Sequence, residues 1–311
     1  MSFFKSAVIV LGAGVMVPLV GCVSPPQTRA LLNAPPDIPA AHVIEGVPFF
    51  AQDEYFCGPT TLAEVFNFYG ANSTPSKVAP DVFVPELKGS LQIEMHSAVR
   101  KNGLLPYSDK GNLSQLLGLV SDGIPVIILQ NLSVNWLPAW HYAVVVGYDL
   151  NRKELVLHSG QTAHYRLRLS VFERTWARAE YWFLAAVPPD LTSAHFHPYK
   201  FTQAAQDLVA VGRIDAGVSA LTAATERWQE SWLAYFLLAN TYIQEQPRQS
   251  VEWFKKGFAY GKNQATYLNN YAHALNALAC PREALSLSQR VLALAPADPI
   301  VQNTHEIAQA L

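Results

Sequence analysis

Gln52-Asp-Glu-Tyr-Phe-Cys57-Gly58-Pro59-Thr60-Thr61-Leu62 and His141-Tyr-Ala-Val-Val-Val-Gly-Tyr148-Asp149 decide the reading of this 311-residue chain. In the first stretch the cysteine stands directly ahead of Leu62, Val65, Phe66 and Tyr69, which repeat at helical spacing, and Gly70 fits the C-cap. The spacing predicts a helix over 57–69 with the thiol in its first turn. There the positive end of the helix dipole is expected to lower the thiol pKa. Gly58 is read as leaving room for a carbonyl, and Pro59 suits an early helical position that needs no N–H. The second stretch is β-branched and apolar, so His141 opens a strand at the end of a sheet.

Working outward, Val43–Phe50 reads as a short strand. Leu91–Lys101, closed by Asn102-Gly103, and Leu113–Ser121, before Asp122-Gly123, read as amphipathic helices. The period then changes. Pro125–Gln130, Tyr142–Tyr148, Glu154–His158, His164–Ser170 and Tyr181–Val187 are strand patterns, with a hairpin turn at Asp149–Lys153. Helices followed by an antiparallel sheet is an α+β order.

Cys57 and His141 together suggest a thiol nucleophile with an imidazole partner. Gln52, five residues upstream, is placed to bring a side-chain amide beside the Cys57 N–H as an oxyanion hole. Each residue has a plainer reading: a buried small cysteine, a core histidine and a loop glutamine. The pattern Gln-x4-Cys-Gly-Pro, a Gly-Ile-Pro-Val strand and then His-Tyr-Ala-Val-Val-Val-Gly-Tyr-Asp resembles the papain-like cysteine peptidases related to bacteriocin-leader processing (double-glycine leader, family 39). It is more distantly similar to the phytochelatin synthases. The resemblance covers roughly 43–189 and implies a papain-like α+β fold with Cys57 as nucleophile, His141 as its partner and Gln52 at the oxyanion. Relatives commonly place the glutamine six residues before the cysteine, and an Asp where Ser159 stands here. Ser159 is the candidate to accept a hydrogen bond from His141. His158 is adjacent, but a strand alternates faces, so His158 and Ser159 cannot both point into the site. Leader processing is not carried over, since a repeat region stands where those relatives have a transporter.

The first 22 residues read as a lipoprotein signal peptide: a positive start at Lys5, an apolar run from Ala7 to Val20, and Leu19-Val-Gly-Cys22 as a lipobox. Cys22 is then the lipidation site. Val23 rather than Asp after it points to an outer-membrane lipoprotein facing the periplasm of a Gram-negative cell, touching the membrane only through its lipid. Residues 23–40, rich in Pro and Ala, are expected to be a tether, 41–190 the papain-like domain and 191–199 a linker. From 200 to 311 the strand patterns vanish. Ala239 and Ala272 are 33 residues apart, as are Tyr242 and Leu275, and Ala284 and Pro296 fit a tetratricopeptide repeat. A weaker copy runs through Gly212-Arg-Ile-Asp-Ala216. Such repeats present a concave surface to a protein partner.

A net charge of −2 carries no basic footprint for nucleic acid. Two cysteines besides Cys22, Cys57 and Cys280, are too few and too distant for a disulfide framework. No metal or organic cofactor is implied; His195 and His197 lie in a polar stretch without carboxylates. Glu94 and His96 read as surface positions, Phe172 and Trp176 as core, Cys280 as incidental, and Trp136 and Trp140 as either cleft walls or loop packing. The expected function is a cysteine-dependent peptidase acting on a peptide or protein. Two alternatives stay open: an inactive peptide-binding adaptor, and a thiol acyltransferase acting on a non-protein substrate.

Overall fold

The computed structural model describes residues 25–52 and 55–311. Cys22 with its apolar run, and Asp53 and Glu54, lie outside the described residues. Helix α1 (Pro26–Asn33) and strand β1 (Ala41–Val43) lead into α2 (Cys57–Phe68), α3 (Pro75–Val82), the ribbon β2 (Phe83–Val84) and β3 (Gly89–Ser90), and α4 (Gln92–Lys101). Then come β4 (Leu105–Lys110), α5 (Leu113–Ser121), β5 (Val126–Asn131), β6 (Trp140–Asp149), β7 (Glu154–Ser159), β8 (Thr162–Arg168), α6 (Leu169–Ala177) and β9 (Trp182–Val187). Apart from the ribbon, the strands form one antiparallel sheet in the order β4-β9-β5-β6-β7-β8, and β1 joins the distal half of β6. The fold is the expected α+β arrangement.

The centre of the sheet is built from near-continuous apolar runs. Val126, Ile127 and Ile128 of β5, Ala143–Val146 of β6 and Phe183–Val187 of β9 are all buried. Helices cover both faces in such a sheet, so its strands do not alternate with water-facing positions. Helix α2 packs against β6, and its Leu62, Val65 and Phe66 are buried in that core. Gly70 sits at φ +88°, just past the C-terminal end of α2, as a left-handed C-cap requires. In β6, Gly147 makes room for β1: a Cβ there would stand 2.7 Å from the His42 carbonyl oxygen.

Three segments differ from their sequence expectation. Within 23–40, which composition suggests is a tether, α1 is docked. The buried Glu173 carboxylate of α6 accepts from the Gln27 and Thr28 N–H groups (2.8 and 2.5 Å), and Leu31 enters the core. The cap comes from a residue far away in sequence, so the local signal for the helix is weak. Residues 191–199 form a packed seam. Phe196 is buried between Tyr107 and Phe201 (ring centroids 4.3 and 5.7 Å apart), and the Tyr107 hydroxyl accepts from the His197 N–H at 2.9 Å. Val43–Phe50 is also shorter as a strand than expected, pairing only at 41–43.

Beyond the seam the described chain is helical: α7 (Pro198–Ala210), α8 (Ile214–Arg227), α9 (Trp232–Tyr242), α10 (Pro247–Gly261), α11 (Ala265–Ala277), α12 (Pro281–Leu294) and α13 (Pro299–Ala310). The first helices of successive pairs begin at Pro198, Trp232 and Ala265, the second at Ile214, Pro247 and Pro281, so both series advance by 33 or 34 residues. Ala239 and Ala272 fall at matching buried places in α9 and α11. Gly217, Ser250 and Ala284 hold one more matching place, the fourth residue of each second helix, and all three are buried. At Gly217 a Cβ would come within 2.4 Å of Val209 Cγ2 and 2.9 Å of its backbone nitrogen, which sets how closely α7 and α8 approach.

Candidate active site

Cys57 is the first residue of α2, where helix N–H groups lack intrahelical partners. The backbone groups of Tyr142, Gly58 and Cys57 itself favour the charged form of its thiol. Tyr142 follows His141 on β6, so the helix start and the histidine strand meet at the sulfur. The electrostatics differ from the sequence expectation. Burial pushes the Cys57 thiol up, outweighing those three groups, and burial pushes the His141 imidazolium down. Withdrawal from water penalises the charged form of each group.

His141 and Ser159 are brought together. Nε2 of His141 and Oγ of Ser159 share a hydrogen bond of 2.9 Å between β6 and β7. His158, next to Ser159, is completely buried and faces Glu64 of α2. Gln52 is buried and tied to the turn after Ser159: its N–H donates to the Gly160 carbonyl at 3.0 Å, and its own carbonyl accepts from Gln161 Nε2. Its Nε2 is buried without a hydrogen-bond partner among the described residues, an amide donor left open. Gly58 has a different role from the one read in sequence. A Cβ there would collide with the Ser90 side chain (2.3 Å to Oγ), so the glycine admits β3 and not a carbonyl. Ser90 in turn accepts from the Tyr142 hydroxyl through its carbonyl at 3.2 Å.

The loop from β5 to β6 is built and its apolar side chains are presented outward. The buried Asn131 side chain accepts from the Ser133 and Ala139 N–H groups, both at 3.0 Å, and Arg178 donates to the Asn131 carbonyl. On this frame Trp136 is 83 % exposed and Trp140, beside His141, 54 %. Loop packing therefore does not account for them. Elsewhere, Phe172 and Trp176 are core as expected. His96 is half-buried against the Trp182 ring rather than on the surface, and burial with the Arg100 charge lowers its pKa to about 4. The His195 ring covers Gly118.

Sequence reasoning missed Glu64. It lies on α2 seven residues after Cys57, fully buried, accepting from the Phe50 N–H at 3.0 Å and facing His158 Nδ1 at 3.6 Å. Burial pushes its carboxyl up, opposed by His158 and the Phe50 N–H. The signal was present: Glu64 is the lone charged residue in the stretch Cys57–Phe68.

Residues 44–181 match a family model described as the Peptidase_C39 like family. Among solved structures, the chain is similar to a putative C39-like peptidase from Bacillus anthracis: 17 % identity over 49 % of this chain and 98 % of that one, with a TM-score of 0.39. It is also similar to the peptidase domain of Streptococcus ComA, a bi-functional ABC transporter involved in a quorum-sensing pathway: 21 % identity over 45 % and 99 %, with a TM-score of 0.36. No curated protein matches the chain. The family match spans the α+β part and supports a peptidase-type function there.

Proposed function

We propose that the protein is a cysteine peptidase in which Cys57 attacks a peptide or isopeptide carbonyl and His141 manages the proton. The observation that carries this reading is the His141–Ser159 hydrogen bond on a strand whose next residue, Tyr142, acts electrostatically on the Cys57 thiol. With Nε2–H donating to Ser159 Oγ, Nδ1 is the ring nitrogen left to take the thiol proton. Because burial disfavours both charged forms, proton transfer to Nδ1 accompanies attack of sulfur on the carbonyl carbon. As the tetrahedral oxyanion forms, the Cys57 N–H and the open Gln52 Nε2 donate to it. Collapse breaks the C–N bond, Nδ1–H protonates the leaving amine, and the acyl thioester remains on Cys57. Water, deprotonated by the same Nδ1, then releases the acid. Trp136 and Trp140 wall the cleft and favour large apolar side chains next to the scissile bond.

The reading extends to location and partners. Cys22 is the lipid attachment site, the protein works in the periplasm on the outer membrane, and α7–α13 are tetratricopeptide-type repeats that hold a protein partner. The cleavage test incubates the chain with a peptide library and sequences the products. Cleavage is expected to vanish in Cys57→Ala and His141→Ala, and cleavage that survives Cys57→Ala overturns the assignment. The anchor has its own test: Cys22→Ser moves the protein to the soluble fraction, whereas unchanged membrane retention overturns the lipoprotein reading.

A further inference from the structure

The three arms of the site enter from separate parts of the chain. Cys57 comes from α2, Gln52 from the loop before it, and Ser159, which holds His141, from the end of β7. One buried side chain touches the base of all three. Glu64 sits on α2 about two turns below Cys57. Its Oε1 accepts from the Phe50 N–H at 3.0 Å, two residues before Gln52. Its Oε2 faces Nδ1 of His158 at 3.6 Å, the residue before Ser159. Glu64 and His158 are both fully buried, and Oε2, Nδ1 and Nε2 have no hydrogen-bond partner among the described residues. The Phe49 and His164 rings pack edge-on around His158, at centroid distances of 5.4 and 4.9 Å. Two groups so costly to bury stay together only where they face each other.

We propose that the Glu64–His158 pair is the positioning element of the site, holding α2, the Phe50–Gln52 segment and the end of β7 in one register. This rests on Cys57 and His141 being the reacting pair. The two side chains act through Gln52, Ser159 and His141 and do not touch substrate. Displacing either one lets Ser159 drift from His141, and loss of Glu64 also frees the Phe50 N–H.

The test is alkylation of the full chain by iodoacetamide at pH 7. Labelling of Cys57 is followed by site-resolved mass spectrometry, with Cys280 as reference in the same molecule. Glu64→Ala and His158→Leu are each expected to slow Cys57 at least about tenfold relative to Cys280, the scale of a small misplacement of catalytic groups. Glu64→Gln and His158→Asn, which keep a polar atom at the meeting point, are expected to stay within about threefold of wild type. The double variant Glu64→Ala/His158→Leu is expected to be no slower than the slower single, because the pair acts as a unit. If Glu64→Ala does not fold, His158→Leu carries the same comparison with the Phe50 bond intact. A lowered melting temperature with unchanged Cys57 labelling makes the pair merely structural and overturns the proposal, as do fully multiplicative losses in the double variant. His141→Ala separates the two readings. If it slows labelling and Glu64→Ala does not, positioning alone fails; if His141→Ala leaves labelling unchanged, the catalytic reading fails with it.

Discussion

Ser159 holds His141 through one hydrogen bond of 2.9 Å, where a carboxylate would hold it through charge as well. In the proposed mechanism the imidazolium formed during thiol attack has the Ser159 dipole, and no carboxylate among the described residues, bonded to it, in surroundings whose burial already disfavours it. Ser159→Ala removes the orienting bond and is expected to slow Cys57 alkylation by about tenfold, the range of a mispositioned general base. Ser159→Asp is expected to speed it at pH 6 to 7, and an unchanged rate in both variants would remove Ser159 from the site. The position was legible through the resemblance, which implies a partner for His141 on the strand after the hairpin. What one sequence could not reveal was the balance of charge: a helix start predicts a lowered thiol pKa, but burial outweighs the local backbone groups. His96 gives a second residue-scale outcome. Burial, with Arg100 adding to it, lowers its pKa from the ordinary 6.5 to about 4. Between those values the unfolded chain binds a proton that the folded chain does not. The stability linked to the neutral ring is thus complete above about pH 6.5 and is lost as pH falls toward 4, by up to about 3 kcal/mol. Urea unfolding at pH 7.5 and 4.5 checks this: His96→Phe, which keeps the stacking on Trp182, should flatten that part of the pH dependence.

Helix α2 was readable because its apolar spacing and its Gly70 stop are both local. The same holds for α4 and α5, which end at Gly103 and Gly123 with φ of +75° and +79°. Helix α1 was not, since Pro-rich composition dominates its sequence and its N-terminal N–H groups are satisfied by Glu173 across the fold. A cap supplied from such a distance leaves no trace within a local window. Glu173→Gln is expected to cost about 1–2 kcal/mol and to raise the rate of proteolytic nicking around residues 34–40; wild-type nicking would mean that Leu31 and the bond from the Leu113 N–H to Gln27 hold α1 without the cap. Gly58 shows an element whose local reading was right in place and different in cause. Its missing side chain lets β3 lie against the start of α2. Gly58→Ala should push the helix start away from Ser90 and slow Cys57 alkylation several-fold, with a stability loss of about 1–3 kcal/mol, typical of overpacking. Retained reactivity in that variant would show that the thiol does not depend on this contact.

At the scale of the whole molecule, the α+β part and the helical array share a core. Phe196, Phe201, Ala205 and Leu208 belong to the same buried cluster as the sheet, which continues into Leu221 and Leu238 of α8 and α9. The polar composition of 191–199 suggested a separator, but its one phenylalanine is buried against Tyr107, whose hydroxyl also binds the backbone at His197. A second buried cluster begins with Tyr235 and Ala239 of α9 and runs through Phe254, Tyr267, Leu275 and Val301. The break in cooperativity is thus expected at α9, where the two clusters meet, not at the junction of sheet and helices. Phe196→Ala should remove about 3–5 kcal/mol, the range for a buried aromatic truncated to alanine. Its effect should appear in the transition that also melts the sheet. Calorimetry with the buried Trp176 as fluorescent reporter of the α+β part distinguishes the outcomes. A shift of the sheet transition together with α7 and α8 supports one cooperative block, whereas an unshifted sheet transition would mean that the seam packs without coupling. Because β4, which carries Tyr107, is a strand of the same sheet as β6, such coupling would let a partner bound on the helices stabilise the platform that carries His141.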